Sequence, residues 1–135
     1  MVFFSAIYKI MYDGKEWEMK EQLIERINIL EGAGMIIPEV ADFCLKAVDY
    51  ILEAKPDADE EDFGMLITHL AMGTQRLIER KEENPVDENI LAAIQLEPVF
   101  EEAERMAKVI IKMSGLIFSK TESDFLKIHL CNLLS

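Results

Sequence analysis

Apolar residues recur three and four positions apart along most of the chain, the spacing that lines one face of an α-helix. The clearest run is Val40, Phe43, Cys44, Ala47, Val48 and Ile51. Pro38, a favoured first-turn residue, opens it, and Pro56 closes it. Upstream, Met19, Leu23, Ile27 and Leu30 form the stripe of a first helix over about Lys15–Leu30, ended by Gly32 and Gly34. Downstream, Phe63, Leu66, Ile67, Leu70, Thr74 and Leu77 line one side of a third helix that the pattern carries to about Lys81. Asp57, Asp59, Glu60, Glu61 and Asp62 mark its start, where carboxylates complement the positive end of the helix dipole.

A polar link, Glu82 to Pro85, separates this helix from a fourth segment beginning near Asp87. Pro98 bends or splits that segment, because proline lacks a backbone donor and clashes with the preceding turn. Beyond it Val99, Phe100, Ala103, Met106, Ala107, Ile110 and Ile111 continue the stripe as far as Gly115. The last helix opens at Ser119-Lys-Thr-Glu122, a capping box in which each side chain is expected to bond the other's backbone N–H. Phe125, Leu126, Ile128, Leu130, Leu133 and Leu134 lie nearly all round it, as in a helix packed on several sides.

Only the stretch Val2–Tyr12, closed off by the turn signal Asp13-Gly14, resists this reading. A short strand, a docked helical turn and an extension all fit it. The expected fold is therefore all-α: a single five-helix bundle over residues 15–135, preceded by an N-terminal extension of uncertain structure, residues 1–14.

The chain is long enough for one domain with a real core. Its 135 residues carry 14 basic and 26 acidic side chains, a formal charge of −12. That balance argues against direct nucleic-acid binding, which draws its affinity from Lys and Arg, and favours partners with a basic face. Cys44 and Cys131 both sit inside apolar helical patterns with no Cys-x-x-Cys spacing, and read as buried free thiols in a reducing compartment. No run approaches the roughly 18 apolar residues of a membrane span, and Val2–Tyr12 lacks the basic flank and cleavage site of a signal peptide. A cytoplasmic protein without membrane attachment is expected.

The only candidate chemistry is the pair of histidines. Met65, His69, Met72 and Arg76 fall on the side of the third helix opposite its core stripe. Flexible apolar side chains around a titratable group suggest burial against a second helix layer or a second subunit. His129 shares a face of the last helix with Glu122, Phe125, Leu126, Asn132 and Leu133. Glu122 lies about 10 Å away along the axis, so a direct bond to His129 is not expected.

Read together, the two segments resemble a known family. Phe63-Gly-Met-Leu-Ile-Thr-His69-Leu-Ala-Met-Gly-Thr-Gln-Arg76 is similar to the first histidine segment of the phosphotransferase-system regulation domain, the PRD. In that segment an arginine follows the histidine by seven residues. Glu122-Ser-Asp-Phe-Leu-Lys-Ile-His129-Leu-Cys-Asn132 is similar to the second, with a glutamate seven residues before the histidine and an asparagine three after it. The resemblance covers about residues 15–134 and implies a five-helix bundle that dimerises.

It further implies that His69 and His129 accept phosphoryl groups from the phosphocarrier HPr or a sugar-specific enzyme II component. Arg76 would support the phosphoryl group, with Glu122 and Asn132 as the other motif residues. Regulation of transcription in sugar use is the expected role. Relatives with known outputs carry an RNA- or DNA-binding domain; residues 1–14, before the first helix, are too few for either, so the expectation is an output in a partner, a module that serves only as a phosphate sink or sensor, or one that has lost phosphorylation and kept the fold.

No enzyme activity, cofactor or metal is expected. There is no Gly-rich phosphate loop, so the phosphoryl donor must be another protein. A histidine phosphotransfer domain is one alternative, since His69-Leu-Ala-Met-Gly73 approaches its H-x-x-[KR]-G pattern; but Met72 replaces the basic residue, and His129 is left without a role. A dimerisation or adaptor module with two structural histidines is another. A zinc site made of His69, His129 and Glu122 is disfavoured, because neither histidine has a ligand residue three or four positions away.

Overall fold

The computed structural model describes residues 14–135, with side chains from Trp17 onward. The ambiguous stretch Val2–Tyr12 lies outside the described residues. The described chain folds into α1 (Gly14–Gly32), α2 (Pro38–Ala54), α3 (Glu60–Glu79), α4 (Glu88–Gln95), α5 (Phe100–Ser114) and α6 (Lys120–Leu134), with no strand among them. The helical class stands, and the expected count of five becomes six. Pro98 does not merely bend the fourth segment: the helix stops at Gln95 and restarts at Phe100.

The helix ends follow local chemistry. Gly34, at φ 74°, takes the left-handed position after α1. The N–H of Met35 donates to Leu30 O and that of Gly34 to Glu31 O, both at 3.0 Å, the paired bonds of a Schellman end. Asp59 caps α3 by accepting from the Asp62 N–H at 3.1 Å, so the first two acidic residues of the cluster stay outside the helix. α3 then stops at Glu79, short of the expected Lys81, because Arg80 turns left-handed at φ 58°. At the start of α2 no side chain of Ile37 caps the helix; its N–H instead donates to Gln75 Oε1 of α3 at 3.0 Å. Gln75 is thus a buried amide that ties two helices together.

α3 is the centre of the bundle. It packs on α1, α2 and α6, while α6 also meets α5 and α4. Phe63, Leu66 and Ile67 of α3 are sealed from solvent together with Leu23 and Ile27 of α1, Val48 and Ile51 of α2, Met106 and Ile110 of α5, and Leu130 of α6. The expected stripes supply these residues almost one for one. Burying a side chain of this size contributes roughly 1.5–3 kcal/mol, so the shared core dominates the stability of every helix except α4. α4 buries none of its residues and leans mainly on α6, with Ile94 against the edge of the core. No helix among the described residues is long and apolar enough to cross a membrane.

Candidate functional site

His69 and His129 come from helices far apart in sequence, yet their rings stack with centroids 4.4 Å apart and planes inclined by 28°. The stack forms where α6 packs against α3. His69 is exposed and His129 half-buried. Of the two expected settings for the α3 stripe, the second helix layer is partly realised within the chain: Met65 stays exposed at 47 %, Met72 and Arg76 are half-buried, and His69 is covered on one face by His129.

Arg76 is engaged, but not with a histidine. Its Nε and a terminal nitrogen donate to the two carboxylate oxygens of Glu122 at 2.9 and 3.1 Å. This fork-to-fork geometry is the strongest form of an Arg–carboxylate pair. Glu122 is 6 % exposed, and Glu83 adds a looser approach to Arg76 at 3.8 Å. The pairing corrects the expected capping box. Ser119 does accept from the Glu122 N–H at 3.2 Å, but the Glu122 side chain crosses to Arg76 instead of returning to the Ser119 backbone. A buried carboxylate is stabilised more by a guanidinium than by one backbone N–H, so the tertiary partner wins.

Gly73 makes this crossing possible. It lies between His69 and Arg76 on the same face of α3 and is buried. A side-chain carbon placed there would stand 2.8 Å from Glu122 Oε1. The missing side chain is the space into which the carboxylate fits.

Two clefts flank the pair. The inner one, about 10 Å³, is walled by Leu66, Leu70, Gly73, Phe118, Phe125 and Leu126 together with Glu122 and both histidines. The outer one, about 210 Å³, opens to solvent and brings His69, Arg76, Glu83, Thr68, Met72 and Phe125 to one rim. Asn132 is exposed on α6 and lines neither cleft, so the structure does not bring it to the site. Among the described residues no three His, Cys, Asp or Glu side chains gather as a metal site.

Burial sets the chemistry of His129. Desolvation first, and then the neighbouring His69, push its pKa down from 6.5 to about 4. The ring is neutral near pH 7, with one nitrogen lone pair available as a nucleophile. Neutrality also allows the stack, since two imidazolium cations at 4.4 Å would repel. The hydrogen bond from Arg76 to Glu122, more than their Coulomb attraction, raises the Arg76 pKa and keeps the guanidinium charged.

Sequence reasoning named both histidines, Arg76 and Glu122 and put Phe125 on the His129 face, but did not reach the stack, the Arg76–Glu122 pair, the role of Gly73 or the wall residue Phe118. One signal was present: a glycine between two functional side chains on one helix face marks a close approach.

The third and last helices of the bundle thus bring two histidines together beside an ion pair between half-buried Arg76 and buried Glu122. The family description PRD domain matches residues 42–133, most of the chain, and the protein belongs to that family. The match runs from α2 to α6 and includes both histidines. Neither the curated proteins nor the solved structures contain a significant match to the chain.

Proposed function

We propose that this PRD domain is a phosphoryl acceptor of the bacterial sugar phosphotransferase system rather than an enzyme, with His69 and His129 as acceptors. The observation that carries the reading is the histidine stack beside the charged Arg76 fork. A phosphohistidine of HPr or of an enzyme II component is the donor. The lone pair of an acceptor nitrogen forms the new N–P bond while the donor's N–P bond breaks, and its electron pair returns to the donor ring. Such transfer needs positioning and charge neutralisation more than covalent help from the acceptor. Arg76, at the rim of the outer cleft with His69, is the group suited to meet the incoming oxygens. A cytoplasmic location follows from those donors.

The signal then passes to transcriptional control of sugar use through subunit or partner contacts. Exposed Met65, one turn before His69, supports a homodimer contact on this face. Strictly monomeric sedimentation at tens of micromolar protein would remove the homodimer. A plain adaptor module with structural histidines is the competing reading, and phosphorylation separates the two. Incubation with phosphoenolpyruvate, enzyme I, HPr and enzyme II components, followed by mass spectrometry under non-acidic conditions, should add phosphoryl mass that acid removes. The double variant His69→Ala, His129→Ala should add none. No mass gain with any donor would leave the adaptor reading standing.

A further inference from the structure

Resting on the acceptor reading above, we infer that His69 and His129 form a single-occupancy site: a phosphoryl group on either ring closes the other ring of the same chain to phosphorylation. The first ground is distance. The ring centroids are 4.4 Å apart, so each ring lies in van der Waals contact with the other. A phosphoryl group brings three oxygens and close to two negative charges. Two such groups on rings this close repel strongly in a partly dry site.

The second ground is charge. Of the described residues lining the two clefts, Arg76 is the only cation, whereas Glu122 and Glu83 are both acidic. Arg76 already donates two hydrogen bonds to Glu122. A first phosphoryl group can draw on its remaining donors; a second finds two carboxylates and no further cation lining the clefts, in a chain whose formal charge is −12. The third ground is space. The inner cleft of about 10 Å³ holds at most a water molecule, and its walls are largely Leu and Phe side chains with no N–H to offer. A second group therefore cannot retreat inward from the first.

The functional consequence is a binary state. Donors that prefer different rings are alternatives that produce the same singly modified domain, and their effects do not add.

The chain contains only two histidines, so intact mass counts the sites directly. Potassium phosphoramidate is a suitable probe because it transfers its phosphoryl group to imidazole and releases ammonia, with no protein donor needed. Under native, non-acidic conditions the wild-type chain should stop at one added phosphoryl group, and peptide mapping should find it divided between His69 and His129. His69→Gln and His129→Gln should each accept one group. In urea, where the stack is gone, the wild-type chain should accept two. Two groups on the native chain would overturn the inference. So would one group in urea, or acceptance by only one of the two variants, since the count would then reflect ring reactivity and not exclusion. If phosphoramidate loads one group but no phosphotransferase donor loads any, the donor reading fails and single occupancy stands.

Discussion

Two buried glycines on α3 show how differently one added methyl group is received. At Gly73 the new carbon would meet Glu122 Oε1 at 2.8 Å and Glu122 Cδ at 3.2 Å, and that carboxylate is buried and held by Arg76. At Gly64 it would meet only the guanidinium end of Arg26, at 3.0 Å or more, on an exposed and flexible side chain. Alanine gains about 1 kcal/mol over glycine inside a helix. Overpacking a fixed neighbour costs about 1–3 kcal/mol. Gly64→Ala should therefore stabilise the protein by up to about 1 kcal/mol, while Gly73→Ala should destabilise it by about 1 kcal/mol or more. Urea denaturation of both variants reads the difference. Equal gains would show that Glu122 yields freely and that the Arg76 pair does not depend on Gly73. The cysteines need no such accommodation: Cys44 and Cys131 are buried and unpaired, as their apolar patterns imply, and burial pushes the Cys44 thiol up to about 12.

At the scale of elements, the ends of α3 and α6 were decided by more than local signals. α1 and α5 end on glycines in the left-handed region, and both stops were readable. α3 ends on Arg80 in the same conformation, with Lys81 N–H donating to Arg76 O at 2.9 Å and Arg80 N–H to Leu77 O at 3.2 Å. No glycine announces this Schellman end, so the pattern ran on to Lys81. A non-glycine residue there costs about 1–2 kcal/mol, against roughly 0.5–1 kcal/mol for the extra chain entropy of glycine. Arg80→Gly should thus raise stability by about 0.5–1 kcal/mol in thermal or urea unfolding. An unchanged or lowered midpoint would mean that the Arg80 side chain contributes more than its backbone strain costs. α6 begins as its Ser119 cap foretold, but the second half of the capping box was lost to Arg76.

The molecule as a whole carries a pH dependence written by His129. Its folded pKa lies near 4 and its unfolded value near 6.5. Between those values the unfolded chain binds a proton that the folded chain refuses. The contribution is complete above about pH 6.5 and is lost as pH falls towards 4. Solvent reaching the half-buried ring moderates the effect, so between pH 7 and pH 5 the wild type should lose about 1 kcal/mol more than His129→Gln. Denaturation curves of the two proteins at both pH values provide the comparison. Parallel losses would show that the His129 ring is no harder to protonate in the fold than in the unfolded chain.

Helical class, the core face of each helix, the breaks at Pro56, Pro98 and Gly115, and the identity of the histidines were all legible along the chain. These depend on spacing within one helix or on residues that restrict their own backbone, and both are properties of neighbours in sequence. The pairings were not legible. His69 meets His129 and Arg76 meets Glu122 because α6 lies against α3, a juxtaposition built by Leu66, Leu70, Leu126, Leu130 and their shared core. Seven residues separate Glu122 from His129 along one helix, which kept them apart in the linear reading, whereas the packed helices place both around one cleft that Gly73 also lines. Sequence decided which side chains could do chemistry. Only the packing of α3 on α6 decided which of them share a site, because contact across helices is set by the core on which both rest.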